Sequence, residues 1–386
     1  MEIRKINSNT PSFTNSGKIG LGLKTASKIC SIQEGGAGLS HIKFIQDCAT
    51  CLLPKVVFAR SKAELAENSF LEFTESILVY YFPALLGEKV FRNIFSKKLP
   101  RDLKSQVSIP APILLKNKAI SNNKKIMPVK AALALAGLVI PLTEFVLNYA
   151  KNIMTLKIFK QANFDNIANL DKNKKVEDKA QAQKVENSAK RNIKMAGGVY
   201  ATSLGLAGLL LAKGDKSKLF KKNEKLKNFF NKFFSLDFGN DNGKLCLSRG
   251  QLTSCVLIGG AGYFGSSKDR GKQNFLETLY RYPLVGFYII CGNELLEKGF
   301  KKLLYKTGHC KEVLNEKLEV PRFDELKEYV KKFERNEKEL YKKMLKQKVL
   351  ISGLPLLFGI GVMGFFITKS SNLFTKFRYD KAKNES

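Results

Sequence analysis

VLISGLPLLFGIGVMGFFIT, residues Val349 to Thr368, runs for twenty residues without a charged side chain. At about 1.5 Å per residue, a helix of that length matches the ~30 Å hydrocarbon core of a bilayer. Core helices of soluble proteins seldom stay uncharged for so long, so the stretch reads as a membrane-spanning helix. Met195 to Ala212 is a second uncharged run, fenced by Lys194 and Lys213 as expected where helix ends meet headgroups. Ala131 to Ala150 is a third, but Pro141 and Glu144 interrupt it, predicting a bend and a carboxyl that faces a bundle interior or lipid. Phe70–Gly87, Leu252–Ser267 and Phe275–Gly292 are shorter apolar segments that either span or pack inside protein.

These segments predict an all-α, multi-pass helical membrane protein, and self-comparison suggests how it is organised. A shift of 204 to 205 residues lays Thr50-Cys51 on Ser254-Cys255, Phe70-Leu71-Glu72 on Phe275-Leu276-Glu277, and Gly87 on Gly292. The expected architecture is two duplicated three-helix units joined by a further helix. Its parts are a basic disordered tail over 1–40, a helical membrane unit over 41–165, a linker over 166–244 that contains the membrane helix 195–212 and a basic amphipathic helix 219–234, and a second membrane unit over 245–386. The long connections after Gly87, Ala212 and Gly292 are rich in Lys and are expected on the cytoplasmic side, although Lys151 to Lys194 is basic too and argues against a simple seven-crossing count.

Lys and Arg total 66 against 34 acidic residues, a formal charge of +32 that implies a polyanionic neighbour. Lys outnumbers Arg 55 to 11, favouring diffuse surface electrostatics over the bidentate recognition that arginine provides. Anionic membrane lipid is therefore the expected partner. No helix-turn-helix, RNP-like or zinc-finger pattern supports specific nucleic-acid binding. Leu219–Phe234, LFKKNEKLKNFFNKFF, gathers Phe229, Phe230 and Phe233 on one helical face opposite Lys221, Lys222 and Lys225, as an interfacial helix requires. The same pattern also suits a helix packed on the protein's own core.

Motifs for chemistry are sparse. Gly260, Gly262 and Gly265 form a G-x-G-x-x-G that locally resembles a dinucleotide-binding turn, but the charged KDRGKQ follows where an apolar helix is needed. The same spacing recurs at Gly359, Gly361 and Gly364 inside the clearest membrane run, so both read as small residues that let helices approach closely. Cys48 and Cys51 make a lone C-x-x-C without the second pair of a structural zinc site, and the two His lie in no triad or metalloprotease pattern. No catalytic residue, metal or cofactor is expected. Seven scattered Cys do not form a disulfide framework.

What remains is a set of ionisable groups within apolar segments: Glu72, Glu75, Glu144, Glu277 and Arg281. In lipid such groups are costly and mark ion paths or interhelical pairs; at exposed helix starts they are ordinary. The expected role is a non-enzymatic, structural or organising membrane protein with basic loops on anionic lipid, the alternative being a repeat-built transporter or channel that uses the carboxylates. Carboxyls converging on one site favour the alternative, and dispersed carboxyls favour the structural role.

Overall fold

The structure, a computed structural model, describes residues 20–33, 44, 47–81, 126–171, 176–213, 224–234, 249–333 and 336–385. The regular secondary structure of these residues is all helical, with no strand among them. The chain divides into two compact units, one formed by Met1–Glu34 with Glu297–Leu354 and the other by Gly35–Leu296 with Pro355–Ser386.

In the first unit, helix α1 (Leu21–Gln33) falls within the stretch expected as a basic tail. Cys30 is buried there, with its thiol 3.9 Å from the Val349 carbonyl. The core gathers Leu304, Cys310, Val313, Leu326, Met344 and Ile351, with Leu23 packed against it. Lys348 is also buried, directing its ammonium to the Pro321 carbonyl and lying 4.7 Å from the centre of the Phe323 ring.

The second unit holds most of the helices. Helix α2 (Cys48–Val57) opens with a π-helical turn, Cys48–Leu52, and α3 runs Lys62–Glu75 before continuing as a π segment, Ser76–Tyr81. Helices α4 (Ile126–Gly137) and α5 (Val139–Phe159) meet at a break, followed by the short α6 (Phe164–Ile167) and the long α7 (Lys179–Lys213). Helix α8 (Glu224–Phe234) precedes α9, which runs as Arg249–Ser254, a π turn Cys255–Gly259 and Gly260–Lys268. Helix α10 (Lys272–Phe287) continues through a π turn, Tyr288–Gly292, into α11 (Asn293–Lys306). All but the first residues of α11 and the whole of α12 (Leu326–Val330) belong to the first unit, and α13 (Glu337–Asn384), with a π segment at Gly359–Phe366, belongs to the first unit up to Leu354 and to the second from Pro355.

The break between α4 and α5 follows from Pro141, which has no N–H to offer the Gly137 carbonyl four residues back. That carbonyl instead accepts a 2.9 Å hydrogen bond from the buried Gln251 side chain of α9. Three helices are long and apolar enough to cross a membrane among the described residues: Pro128–Phe159, Lys179–Lys213 and Glu337–Asn384. The apolar window of the first is 83% buried, against 22% and 28% for the other two. The first is therefore interior, and the Glu144 carboxyl faces the bundle instead of its surroundings.

All but one of the glycines at the two G-x-G-x-x-G sites lie against close neighbours. A methyl on Gly262 would come within 2.8 Å of the Phe145 carbonyl oxygen, and one on Gly260 within 2.6 Å of the Tyr282 ring. A methyl on Gly364 would come within 2.7 Å of the Thr50 carbonyl oxygen. Here the missing side chains let α9 approach α5 and let α13 approach α2. Gly361 has nothing within 4 Å.

Candidate functional site: a buried polar seam

Helix α3 carries four glutamates, Glu64, Glu67, Glu72 and Glu75, all buried and spread along one broad face. Ser61 starts the helix by accepting a 3.0 Å hydrogen bond from the Glu64 backbone N–H, while its own hydroxyl donates to the Ile167 carbonyl. Opposite this face stand α5, with Glu144, Asn148, Asn152 and Thr155 buried along one side, and α9 with Tyr263.

At one end lie the turns of two helical hairpins, α2–α3 and α9–α10. Arg60, in the first turn, forks onto the Glu277 carboxylate of α10 at 3.0 and 3.1 Å and also holds Glu64 of its own hairpin. Arg270, in the second turn, forks onto Glu67 of α3, one branch at 2.9 Å, and Glu67 also accepts from the Thr155 hydroxyl. Each arginine is thus neutralised across the bundle by bidentate, charge-assisted bonds. Gly271, at φ +122°, supplies the left-handed backbone that turns α9 into α10. Both turns touch α6: the Phe164 ring lies 5.4 Å beneath the Arg60 guanidinium, and the Phe164 N–H donates to the Arg270 carbonyl at 3.2 Å.

Further along the seam, Tyr263 stands between two ammonium groups, Lys55 and Lys151, at 5.6 and 5.2 Å from its ring centre. Its hydroxyl donates to Glu72 at 3.1 Å, and Glu72 is ion-paired with Lys55. Arg281 is within electrostatic reach of Lys55, Lys151 and Tyr263. Beyond this pair come Glu75, at the junction with the π segment of α3, and Glu144, whose carboxyl lies directly against Gly259 at the end of the π turn of α9. The two carboxyls interact electrostatically with each other and with Asp47 and Lys55.

Of the residues expected from sequence, Glu72, Glu75, Glu144 and Arg281 come together in this seam and Glu277 lies at its turn end. Glu72 and Glu277, which the sequence register pairs, differ in place: Glu277 lies beside Arg60 at the turn end, and Glu72 lies further along the seam on Lys55. Sequence reasoning missed Arg60, Arg270, Lys55, Lys151, Glu67 and Tyr263. A signal for the two arginines was present, since each falls in the short connection between two apolar helical segments.

Asp47, Cys51 and Glu72 bring ligand atoms within 4.8 Å of one another. Glu72 is engaged by Lys55 and Asp47 accepts from Ser76, so this is a hydrogen-bonded corner of the same seam. Of the expected lipid-surface residues, Lys221 and Lys222 lie outside the described residues. Lys225 is exposed, Phe229 is 49% exposed, and Phe230 and Phe233 are half-buried, with Phe229 and Phe233 ring centres 5.0 Å apart. Helix α8 rests on α4 and α9, burying Phe234 and Asn231.

Comparison with protein-family models, with curated proteins and with solved structures finds no match for this chain.

Proposed function

We propose that this chain is a multi-pass integral membrane protein that passes an ion or small polar solute along the seam between its two halves. The observation carrying this reading is the convergence of carboxylates from both halves on one buried, helix-lined seam, with cations interleaved among them. A protein of purely organising role has no need to desolvate so many charges, because buried pairs contribute little net stability over apolar packing. The position of Glu75 and Glu144 against π-helical turns also matches where functional sites tend to fall.

A repeat origin is part of the proposal, and reciprocal contacts support it. Asn152 of α5 donates to the Ser266 carbonyl at the end of α9, and Asn372 of α13 donates to the Phe58 carbonyl just after α2, both at 3.0 Å. Each asparagine begins an Asn-x-x-Thr, at Asn152–Thr155 and Asn372–Thr375. The offset between halves grows from 204 at Cys51 and Cys255, through 210 at Arg60 and Arg270, to 220 at the asparagines, as insertions in the connections produce. Repeats running parallel about an axis along the bundle fit both turns lying beside α6.

The basic surface adds a second element: long Lys-rich connections and the exposed Lys225 and Phe229 suit contact with an anionic, cytoplasmic leaflet. Reconstitution of the full chain into liposomes, with fluxes driven in turn by H⁺, Na⁺ and K⁺ gradients, tests the main reading. Flux above protein-free vesicles is expected for one of them. Background flux for all ions, and for small polar solutes, would remove the transport function.

A further inference from the structure

Four of the six buried glutamates near the seam have cationic partners: Glu64 and Glu277 on Arg60, Glu67 on Arg270, and Glu72 on Lys55. Glu75 and Glu144 do not. Both are more than nine-tenths buried, and in each one carboxyl oxygen has no hydrogen-bond donor. Asn148, one turn from Glu144, is fully buried and has its side-chain oxygen likewise unmatched, its amide nitrogen being used on the Glu144 carbonyl at 2.9 Å. All three unmatched atoms are acceptors. Buried acceptors without donors, two of them on carboxylates that repel each other, lack positive charge or a hydrogen atom.

We infer that Glu75 and Glu144 are the proton-carrying carboxyls of the seam, binding and releasing H⁺ as the transported or coupling ion; this rests on the transport reading above. The groups in electrostatic contact with them are Asp47 and Lys55 from the α2 side, Lys151 from α5, Cys255 and Tyr263 from α9, and Tyr282 from α10, with Arg281 acting on Lys55, Lys151 and Tyr263. Two features select a proton over a metal cation. Hard cations ask for about six oxygens, and three are unmatched on Glu75, Glu144 and Asn148. The Lys55 ammonium, ion-paired with Glu72, is within electrostatic range of both carboxyls and opposes a second fixed positive ion more than a proton that neutralises a carboxylate. Protonation also converts an acceptor into a donor, which suits a site crowded with acceptors. Gly259 keeps the space that the Glu144 carboxyl fills, since a methyl there would collide with it.

A hydrophobic carbodiimide, which modifies protonated carboxyls in apolar surroundings, provides a readout independent of transport. Treating the full-length protein in detergent and mapping the adducts by mass spectrometry should label Glu75 or Glu144, with labelling falling as pH rises. The ion-paired Glu67 and Glu72 should stay unmodified. Glu75→Gln and Glu144→Gln should each lose the label at the substituted position and reduce H⁺ flux in proteoliposomes to the protein-free background. Absence of label at both carboxyls, labelling insensitive to pH but suppressed by Na⁺, or H⁺ flux unchanged in both variants would each overturn the inference. Flux of Na⁺ or K⁺ without H⁺ would overturn it while leaving transport standing. No flux of any ion would instead remove transport, and the labelling pattern would still decide whether the two carboxyls hold protons.

Discussion

Arg60 and Arg270 exchange partners: each sits in the turn of its own helical hairpin and forks onto a glutamate of the other, Glu277 and Glu67 respectively. Side-chain exposure is only 15% for Arg60 and 1% for Arg270, so both pairs are largely withdrawn from water. A pair of this kind is costly to break from one side, because the orphaned charge stays buried.

Arg60→Ala, which strips both Glu64 and Glu277 of their cation, is expected to cost about 3–5 kcal/mol, and Glu277→Ala a similar amount. The double variant should cost clearly less than the sum, giving a coupling energy of about 0.5–3 kcal/mol. Thermal unfolding of the four proteins in detergent reads this directly. Strict additivity would show that the fork carries no interaction energy.

The two G-x-G-x-x-G sites provide a matched comparison of helix spacing. Gly262→Ala puts a methyl 2.8 Å from the Phe145 carbonyl oxygen and should destabilise by about 1–3 kcal/mol through overpacking. Gly361→Ala meets nothing within 4 Å and should be neutral or stabilising by up to about 1 kcal/mol through helix propensity. Equal effects in a melting measurement would mean that α9 does not rely on glycine to approach α5.

Acid sensitivity is expected at Glu312 in the first unit. Burial works to raise this carboxyl, but hydrogen bonds from Lys343 and Gln347 outweigh it and hold the group below the usual carboxylate range. A folded value below the unfolded one adds stability above the ordinary carboxylate range, and that stability disappears as pH falls through the folded value. Glu312→Gln should therefore melt lower than the parent near neutral pH, with the gap closing in acid. A gap that persists unchanged at low pH would trace the effect to packing.

Membrane integration is the outcome expected from three helices long and apolar enough to cross a membrane, two of them with largely uncovered windows. The protein should remain in the pellet after alkaline carbonate washing and need detergent for release. A peptide covering Leu219–Phe234 should bind anionic vesicles in a salt-sensitive way. Equal binding to neutral vesicles would remove the electrostatic part.

The long helices were legible because uninterrupted apolarity is a local property: Val349–Thr368 and Met195–Ala212 both lie inside helices of spanning length. Pro141 interrupts the helical hydrogen bonding, but Leu138 keeps a helical backbone and Pro128–Phe159 runs on as one helix. The seam was legible only in part. Glu72, Glu75 and Glu144 stood out against apolar neighbours, whereas Arg60, Glu67 and Arg270 sit in polar, turn-like sequence and look like solvated charges. Their burial is imposed by the opposite hairpin, some two hundred residues away, and no local pattern records it. The Lys/Phe helix had two readings; packing on the protein is seen in the inward Phe234 and Asn231, while Lys225 and Phe229 stay exposed.

The exchanged arginines make the two halves mutually obligate, as subunits of a heterodimer are. Synthesised alone, the first half would bury Glu67 without Arg270, and the second would bury Glu277 without Arg60. Neither should accumulate as a stable protein when the chain is cut between Phe234 and Arg249, whereas the two fragments expressed together should rescue each other. During synthesis the first hairpin would then wait, its charges unquenched, for more than two hundred residues of chain before its counterpart emerges, an interval in which water or a chaperone must stand in for Arg270.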